Sequence, residues 1–489
     1  MCSCCVTFFK PRRVGTITTA DYKNRFPPGP QPLPLLGNVH QLPADYQHKT
    51  FAEWGRRYGD VVFARLFRTP VLILNSVQAA QDLMDKRGFK YSDRPRFVLL
   101  VELIGWDSVL TLMRYGERSR KHRKWMRDAF QNKASLESYR PMQRRETYTL
   151  LSGLIKNAED HAEHCRRFAA SMVLEVAYGH RVKSLDDNPG SVIVDFVPIL
   201  KHLPTWFPGC SFKQHALDVW RSRRAFLDTP FQMVRDAMTA GTATSCLTVS
   251  LIEQCSGSGG LSKEDEEDIK GTAGQLYSAG TETTFITLST FLLAMAIYPD
   301  VLKKAQEEID RVTGNQRLPD FGDRESLPYL ECILKETYRW NSPAPLGIPH
   351  RVTSDDIYRG YHIPEGCMII PNIWGMMHNP DMYPEPEEFQ PERFLKANII
   401  DPSDVVFGFG RRLCVGQAFA DSSLWLAMAN ILATLDICKP VDDFGNEITP
   451  KPTFQPGFTS PPKPFTCIIR PRSSHALDLI QSANVDVAL

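Results

Sequence analysis

A short segment that ends just after Cys414 constrains this chain more than any other feature. Residues 407–416 read Phe-Gly-Phe-Gly-Arg-Arg-Leu-Cys-Val-Gly, and an apolar stretch with helical spacing follows them. Glycines give such a loop backbone angles that other residues avoid, and they let it approach a flat ligand closely. The N-terminus of a following helix stabilises a thiolate, which is the metal-binding form of cysteine. The segment therefore predicts that Cys414 is a metal ligand; the alternative is a structural cysteine in a turn.

Composition and length favour one large folded unit. The 489-residue chain is 43% hydrophobic and 23% charged, which is ordinary for a globular protein. Length alone suggests about three domains, but no flexible linker, charge block or internal repeat divides the sequence. We predict a single, mostly helical domain with small β-sheets over residues 26–472, with a leader (1–25) before it and a C-terminal tail (473–489) after it. The formal net charge of +1 gives no indication of a nucleic-acid partner.

The leader is predicted to lack a complete membrane span. Residues 1–9 are apolar, but a helix needs roughly 20 such residues to cross a bilayer, and Lys10 follows directly. Cys2, Cys4 and Cys5 are candidates for acylation beside this basic residue; a disordered leader and the stub of a longer anchor are the alternatives. The scattered cysteines do not form a disulfide framework and indicate a reduced, cytosol-facing protein.

A long helix is predicted between Ser262 and Pro299. Ser262 and the acidic residues after it have the pattern of a capped helix start, and apolar spacing continues until Pro299 ends it. Residues 279–284, in the middle, read Ala-Gly-Thr-Glu-Thr-Thr. Gly280 costs such a helix about 1 kcal/mol relative to alanine, and a buried Glu282 costs more unless it has a partner. These costs indicate that the segment has a specific role.

Two further segments contain charged residues at regular spacing. Glu336 and Arg339 lie three residues apart in a predicted helix over 330–340, where they can pair, and Arg393 follows in a Pro-Glu-Arg-Phe segment. An exposed pair would contribute only a few tenths of a kcal/mol. Short apolar runs at 61–64 and 71–74 predict strands.

Taken together, these segments resemble the cytochrome P-450 family of haem-thiolate monooxygenases. Residues 407–416 fit its Phe-x-x-Gly-x-Arg-x-Cys-x-Gly signature, residues 279–283 fit its Ala/Gly-Gly-x-Asp/Glu-Thr oxygen groove, and the Glu-x-x-Arg pair with the later arginine fits its structural triad. The resemblance implies a single-domain, mostly α fold that holds haem b between the long central helix and the cysteine loop.

The resemblance also implies a role for individual residues. Cys414 would bind the iron, Gly280 would open space for dioxygen, and Glu282 and Thr283 would be catalytic residues that deliver protons. Glu336, Arg339 and Arg393 would form the structural triad. The haem-binding residues would be Arg123, His350, Arg412, Phe407 and Gly416.

One departure from the family pattern lies before Arg123. The family usually has tryptophan four residues earlier, and this chain has Ser119, so an indole hydrogen bond to a haem propionate is not expected here. Arg123 belongs to a strongly basic run over residues 115–130. The run is either a solvated helix face or, by resemblance, a docking face for an acidic reductase.

The substrate pocket is predicted to be apolar. Its candidate residues are Phe97, Leu103, Trp106, Leu276, Ile348 and Phe458, so a lipophilic small-molecule substrate is expected. The chain resembles fungal members of secondary metabolism, such as the sterigmatocystin-oxidising type, which suggests a terpenoid or polyketide substrate. The apolar, proline-broken loop at 203–208 is predicted either to contact a membrane or to be buried under neighbouring helices.

The expected activity is hydroxylation or epoxidation with O2. Because no glycine-rich flavin or nicotinamide fingerprint is present, electrons from NADPH would come through a separate NADPH-cytochrome P-450 reductase. The resemblance places the protein at the cytosolic face of the endoplasmic reticulum, as a peripheral or cytoplasmic protein if the anchor is incomplete. Two alternatives remain: a haem-thiolate isomerase or dehydratase that needs no external electrons, and a non-catalytic haem-binding paralogue.

Overall fold

The computed structural model describes residues 26–180, 211–257, 259–396 and 398–488. Helices dominate, as predicted. Those of nine residues or more are α1 (Gln47–Tyr58), α2 (Glu117–Phe130), α3 (Lys133–Lys156), α4 (His161–Tyr178), α5 (Ser211–Thr239), α6 (Leu247–Cys255), α7 (Lys263–Ile297), α8 (Pro299–Thr313), α9 (Pro328–Trp340), α10 (Gln417–Thr434) and α11 (Ser474–Ala488). Shorter helical segments include π-type turns at Gln81–Lys86 and Val98–Leu103 and 3-10 turns at Trp106–Ser108 and Gly410–Arg412.

The β structure is confined to small sheets. Its strands are β1 (Val61–Leu66), β2 (Thr69–Leu74), β3 (His350–Arg351), β4 (Asp356–Tyr358), β5 (Tyr361–Ile363), β6 (Met368–Pro371), β7 (Leu435–Cys438) and β8 (Ile468–Pro471). The largest sheet has the order β1-β2-β6-β3, with β2 parallel to β6 and the other neighbours antiparallel. The prediction of a mostly α fold with small β-sheets is confirmed.

The long central helix α7 organises the interior. The Ser262 hydroxyl accepts a hydrogen bond from the Asp265 N–H and caps its start, as predicted, and α7 ends at Ile297, two residues before Pro299. Helices α4 and α10 both contact it. By length and composition α7 is also the one helix among the described residues that could span a membrane, but 78% of its apolar window is buried in the protein. This burial is typical of a core helix.

The predicted C-terminal tail contains the helix α11. Its Ile480 side chain is buried, and the side-chain amide of Asn484 donates to Ser152 Oγ of α3 at 2.8 Å. The leader and the loop at 203–208 lie outside the described residues.

Candidate functional site

The cysteine loop has a conformation that its glycines make possible. Gly408 and Gly410 have φ angles of +83° and +54°. A Cβ atom on Gly410 would lie 2.1 Å from the Met84 carbonyl oxygen, so no other residue fits at this position. The Cys414 N–H donates to the Phe407 carbonyl at 2.9 Å and closes the loop. The helix α10 begins at Gln417, three residues after Cys414.

The Cys414 side chain is accessible to solvent although protein surrounds most of it. Burial raises the pKa of its thiol, and the Gly416 N–H, the Arg123 guanidinium and the Gln417 N–H partly offset this rise. These three groups would also stabilise a thiolate. A bound metal ion favours the deprotonated form further, so the donor set suits a cysteine that ligates a metal.

The middle of α7 is accessible, unlike the segments of the helix before and after it. Ser278 and Ala279 are exposed, whereas residues 268–276 and 284–296 of the same helix are all buried. The Thr283 hydroxyl donates to the Ala279 carbonyl at 2.8 Å. Helix α10, which directly follows the cysteine loop, contacts α7.

Glu282 faces a different neighbour from Thr283. Its carboxylate accepts a hydrogen bond from Arg166 Nη1 of α4 at 3.2 Å, and the Arg166 guanidinium lies 4.1 Å from the centroid of the Phe285 ring. Among the described residues, no hydrogen bond joins Glu282 to Thr283. Glu282 could therefore reach the Thr283 side of α7 only by releasing Arg166.

Gly280 is required by a close contact between helices. A Cβ atom at this position would lie 2.6 Å from Val173 Cγ1 of α4. This approach of α4 gives a physical reason for glycine that differs from the expected space for dioxygen. The residue directly before Gly280, Ala279, is exposed.

Cationic side chains gather beside the cysteine loop and donate to backbone carbonyls. Arg412 donates to Ser92, Leu110 and Met113 at 2.9–3.2 Å, and Arg123 Nη2 donates to Leu413 at 2.8 Å. His350 Nδ1 lies 2.7 Å from the Tyr91 carbonyl, which can only accept, so Nδ1 carries the proton.

Arg94 joins this cluster and was missed from the sequence. It is buried, and it donates to the carbonyls of Thr111, Ile348 and Pro349 at 2.7–2.9 Å. In the sequence it stands directly before Pro95, a position typical of extended or turn backbone. Nothing there indicates that its side chain is buried in a functional cluster.

The cluster holds more positive charge than the protein neutralises locally. Burial, reinforced by Arg412, lowers the pKa of Arg94 well below its usual range. Burial likewise lowers the pKa of Arg412 to about 10, and burial with Arg94 lowers that of His350. The nearby carboxylate of Asp93 is already bonded to Arg351 at 3.1 Å and to the Tyr115 N–H at 2.9 Å. The cluster is thus suited to an anionic ligand, and the two carboxylates of haem fit it.

Ser119 does not substitute for the tryptophan of the family pattern. Its hydroxyl accepts from the Gly116 N–H and donates to the Gly116 carbonyl, both at 2.9 Å, and so caps α2. A different contact fixes α2 against α7: the fully buried Asp268 accepts from Arg118 at 2.6 Å and Lys121 at 2.7 Å, and its carboxylate lies 3.1 Å from His122 Nε2.

Asp268→Asn is expected to lower the free energy of unfolding by about 2 kcal/mol, because it removes the buried carboxylate charge to which the partly exposed Arg118 and Lys121 donate. Burial alone would raise the pKa of Asp268, but hydrogen bonds from His122, Lys121 and Arg118 outweigh burial and depress it. A depressed folded-state pKa stabilises the fold above the unfolded value of about 4. The difference between wild type and variant should therefore be full at neutral pH and shrink as the pH falls below about 4. Urea unfolding across this range measures it.

The matched control for this variant is Glu264→Gln, since Glu264 is exposed in the first turn of the same helix. Its effect should stay below about 1 kcal/mol. Equal unfolding midpoints for wild type and Asp268→Asn at neutral pH would contradict the role given to Asp268.

Glu336, Arg339 and Arg393 meet in the interior. Glu336 is 0% exposed, and its carboxylate accepts from Arg339 at 2.7 and 2.8 Å and from Arg393 at 3.2 Å. The Gln390 N–H donates to the same carboxylate at 2.8 Å. The arginines also donate to carbonyls between Met377 and Glu388, so the three side chains hold α9 against the loop that leads to the cysteine segment.

The predicted pocket residues differ in their exposure. Phe97, Leu103, Trp106 and Ile348 are partly exposed, and Leu276 is buried in α7. Phe458 is 62% exposed in a turn between β7 and β8. Phe407 contacts Tyr338, with ring centroids 5.4 Å apart, and Gly416 caps α10 beside the Cys414 sulfur.

Comparison with known proteins gives a consistent result. A sequence model of the cytochrome P-450 family matches residues 27–469. The chain is 47% identical to cytochrome P-450 monooxygenase 136 of Postia placenta, over 94% of this chain and 90% of that protein. It is 45% identical to monooxygenase 176 of the same fungus, over 95% and 94%. It is 39% identical to cytochrome P-450 monooxygenase claR of Ampulloclitocybe clavipes, over 95% and 90%.

Proposed function

The chain belongs to the cytochrome P-450 family of oxidoreductases, and we propose that it is a haem-dependent monooxygenase that hydroxylates or epoxidises a lipophilic fungal secondary metabolite. One observation carries this proposal: Cys414 is accessible at the end of a glycine-shaped loop, and the buried cations Arg94 and Arg412 lie beside that loop with backbone carbonyls as their hydrogen-bond acceptors. The three relatives compared above are all named monooxygenases, which supports the same reaction class for this chain.

The residues of this region would hold the haem as follows. Cys414 would supply the thiolate ligand, and the Gly416 and Gln417 N–H groups donate to its sulfur. Arg94, Arg123 and Arg412 would offer guanidinium groups to the propionates. His350 would also donate a hydrogen bond to a propionate, because a carboxylate beside it raises its pKa. When bound, haem supplies the activation of dioxygen, and thiolate ligation favours cleavage of the O–O bond.

Thr283 would hold a proton for the reaction. Two observations support this role: its hydroxyl is fixed by the Ala279 carbonyl, and it follows the exposed residues Ser278 and Ala279 in the middle of α7. Glu282 would be the link to bulk solvent, since Arg166 is partly exposed on the α4 side. A proton could pass from this carboxylate to the Thr283 side when the ion pair with Arg166 opens.

Electrons from NADPH would arrive through NADPH-cytochrome P-450 reductase. The basic run of α2 divides into inward residues that bind Asp268 and an outward row formed by Arg120, Lys124 and Arg127. These three residues share one helix face and form a cationic surface on the side of α2 that holds Arg123 against the cysteine loop. An acidic electron donor would be attracted to this surface.

Reconstitution with a fungal NADPH-cytochrome P-450 reductase tests the proposal. We expect product that contains one oxygen atom from labelled O2, and we expect its formation to require both NADPH and the reductase. Turnover of a peroxide substrate without either would instead support the isomerase or dehydratase alternative. A protein that binds haem but gives no product with any lipophilic compound would support the non-catalytic alternative.

Membrane contact is proposed to be peripheral, at the cytosolic face of the endoplasmic reticulum. The side chains of Leu33, Leu35 and Leu36 are 47%, 80% and 44% exposed just after the leader, and this exposed apolar patch suits a membrane surface. The protein should be released from membranes by alkaline carbonate. Quantitative sedimentation after such a wash would contradict peripheral binding.

A further inference from the structure

Arg223 of α5 is a buried cation without the partners that such a group normally has. It is 5% exposed, and its Nε atom has no hydrogen-bond partner. Its guanidinium carbon lies 5.5 Å from the centroid of the Trp106 ring. A buried charge is costly unless it is paired and hydrogen-bonded, so Arg223 has an unfilled requirement for an acceptor.

The acidic residues near Arg223 do not meet this requirement. Burial lowers the pKa of Arg223, and Asp107, Glu267 and Asp228 only partly oppose that shift. Each of them is paired with another cation: Asp107 with Arg118 at 3.3 Å, Glu267 with Arg224 at 3.0 Å and Asp228 with Lys270 at 2.9 Å. Among the described residues, Arg223 therefore has carboxylates nearby but no direct ion pair.

The surroundings of Arg223 connect it to the predicted substrate pocket. Phe226, one turn further along α5, contacts both Trp106 and Tyr277, with ring centroids 6.1 and 5.3 Å apart. Tyr277 directly precedes the exposed residues Ser278 and Ala279 of α7. A row of contacting aromatic rings, which we call the aromatic wall, thus runs from Trp106 beside Arg223 to Tyr277 at the exposed segment of α7.

Arg223 lies far from the residue expected to act in the reaction. Leu227, which is next to Phe226, contacts α7 at Gly274, where an added Cβ atom would lie 2.2 Å from Leu227 Cδ2. Gly274 precedes Thr283 by nine positions, or about 13 Å along the helix at 1.5 Å per residue. A group bound by Arg223 would therefore be at the opposite end of a substrate from the carbon that is oxidised.

We propose that Arg223 binds a carboxylate of the substrate, so that the enzyme selects lipophilic carboxylic acids and oxidises them at a carbon remote from the acid group. This inference rests on the proposed function. The planar guanidinium matches a carboxylate with two parallel hydrogen bonds, and the aromatic wall suits the apolar body of such a molecule. The acid group would provide the direct ion pair that Asp107, Glu267 and Asp228 do not form with Arg223.

The test compares dodecanoic acid with its methyl ester as probes of the haem-bound protein. Binding is followed by the change in the haem absorption spectrum, which does not depend on turnover. The wild type should bind the acid about ten- to a hundredfold more tightly, as expected for hydrogen bonds to a charged group. Arg223→Gln should lose this preference while its affinity for the ester stays close to the wild-type value. Arg223→Lys should keep part of the preference, because it keeps the charge but not the planar fork.

Arg235→Gln is the matched control, since Arg235 is half-exposed on the same helix and pairs with Glu266 at 3.4 Å. It should retain the wild-type preference. Equal affinity of the wild type for the acid and the ester would overturn the proposal, whatever the variants do. An unchanged preference for the acid in Arg223→Gln would also overturn it, because Arg223 would then only pack against Trp106. Failure of the proposed function is distinct from both results, because it would appear as a wild type without a thiolate-ligated haem spectrum.

Discussion

Glu336→Gln is expected to lower the free energy of unfolding by about 3–5 kcal/mol, a large part of the roughly 5–15 kcal/mol available to a folded protein. The variant removes the negative charge that two arginines share, and all three side chains are almost completely buried. Arg339 and Arg393 would keep their carbonyl acceptors but lose their counter-charge. Urea unfolding and the haem content of the purified protein measure the effect.

The control for this variant is Glu331→Gln on the same helix. Glu331 also pairs with an arginine, Arg324 at 2.9 Å, but both side chains of this pair are about 30% exposed. Exposed pairs contribute about 0–1 kcal/mol, so this control should unfold near the wild-type midpoint. Similar unfolding midpoints for Glu336→Gln and Glu331→Gln would contradict the expected loss of about 3–5 kcal/mol from the buried triad.

Thr283→Ala is expected to uncouple NADPH consumption from product formation. We propose that the Thr283 hydroxyl, which donates to the Ala279 carbonyl, delivers protons in the reaction, and removal of a positioned proton donor typically costs a factor of 10²–10⁴. We expect product per NADPH to fall by about tenfold or more, with hydrogen peroxide released instead, while the spectral change on substrate binding is retained.

Thr283→Ser separates the hydroxyl from the rest of the side chain. It keeps the donor and should keep most of the wild-type coupling, whereas loss of the methyl group alone would affect both variants alike. The measurements are NADPH consumption, peroxide and product in the reconstituted system. Unchanged coupling in Thr283→Ala would remove Thr283 from the delivery of protons.

Features set by local sequence signals were predictable. Ser262 and Pro299 mark the ends of α7 because a cap and a proline act within one helical turn. The glycines of the cysteine loop indicated its unusual backbone, although the contact of Gly410 with Met84 could not be foreseen. The mostly α fold was predicted from the resemblance to the cytochrome P-450 family, which the cysteine loop and the middle of α7 indicated.

Features that depend on distant pairings were not predictable. Arg166 pairs with Glu282 across 116 positions, and Arg118 pairs with Asp268 across 150. In neither pair does the sequence around one residue indicate which residue it will contact. Arg94 was missed for the same reason, since only the fold brings it close to Arg412 and His350. The reason for Gly280 likewise lies in another helix, at Val173.

The central claim is that Cys414 binds haem iron as a thiolate. The most direct test is the absorption spectrum of the reduced, carbon-monoxide-bound protein, recorded beside Cys414→Ala. We predict a Soret band at the long-wavelength position of thiolate ligation in the wild type and no such band in the variant. A wild-type band at the position typical of histidine ligation, or the same long-wavelength band in Cys414→Ala, would contradict the claim.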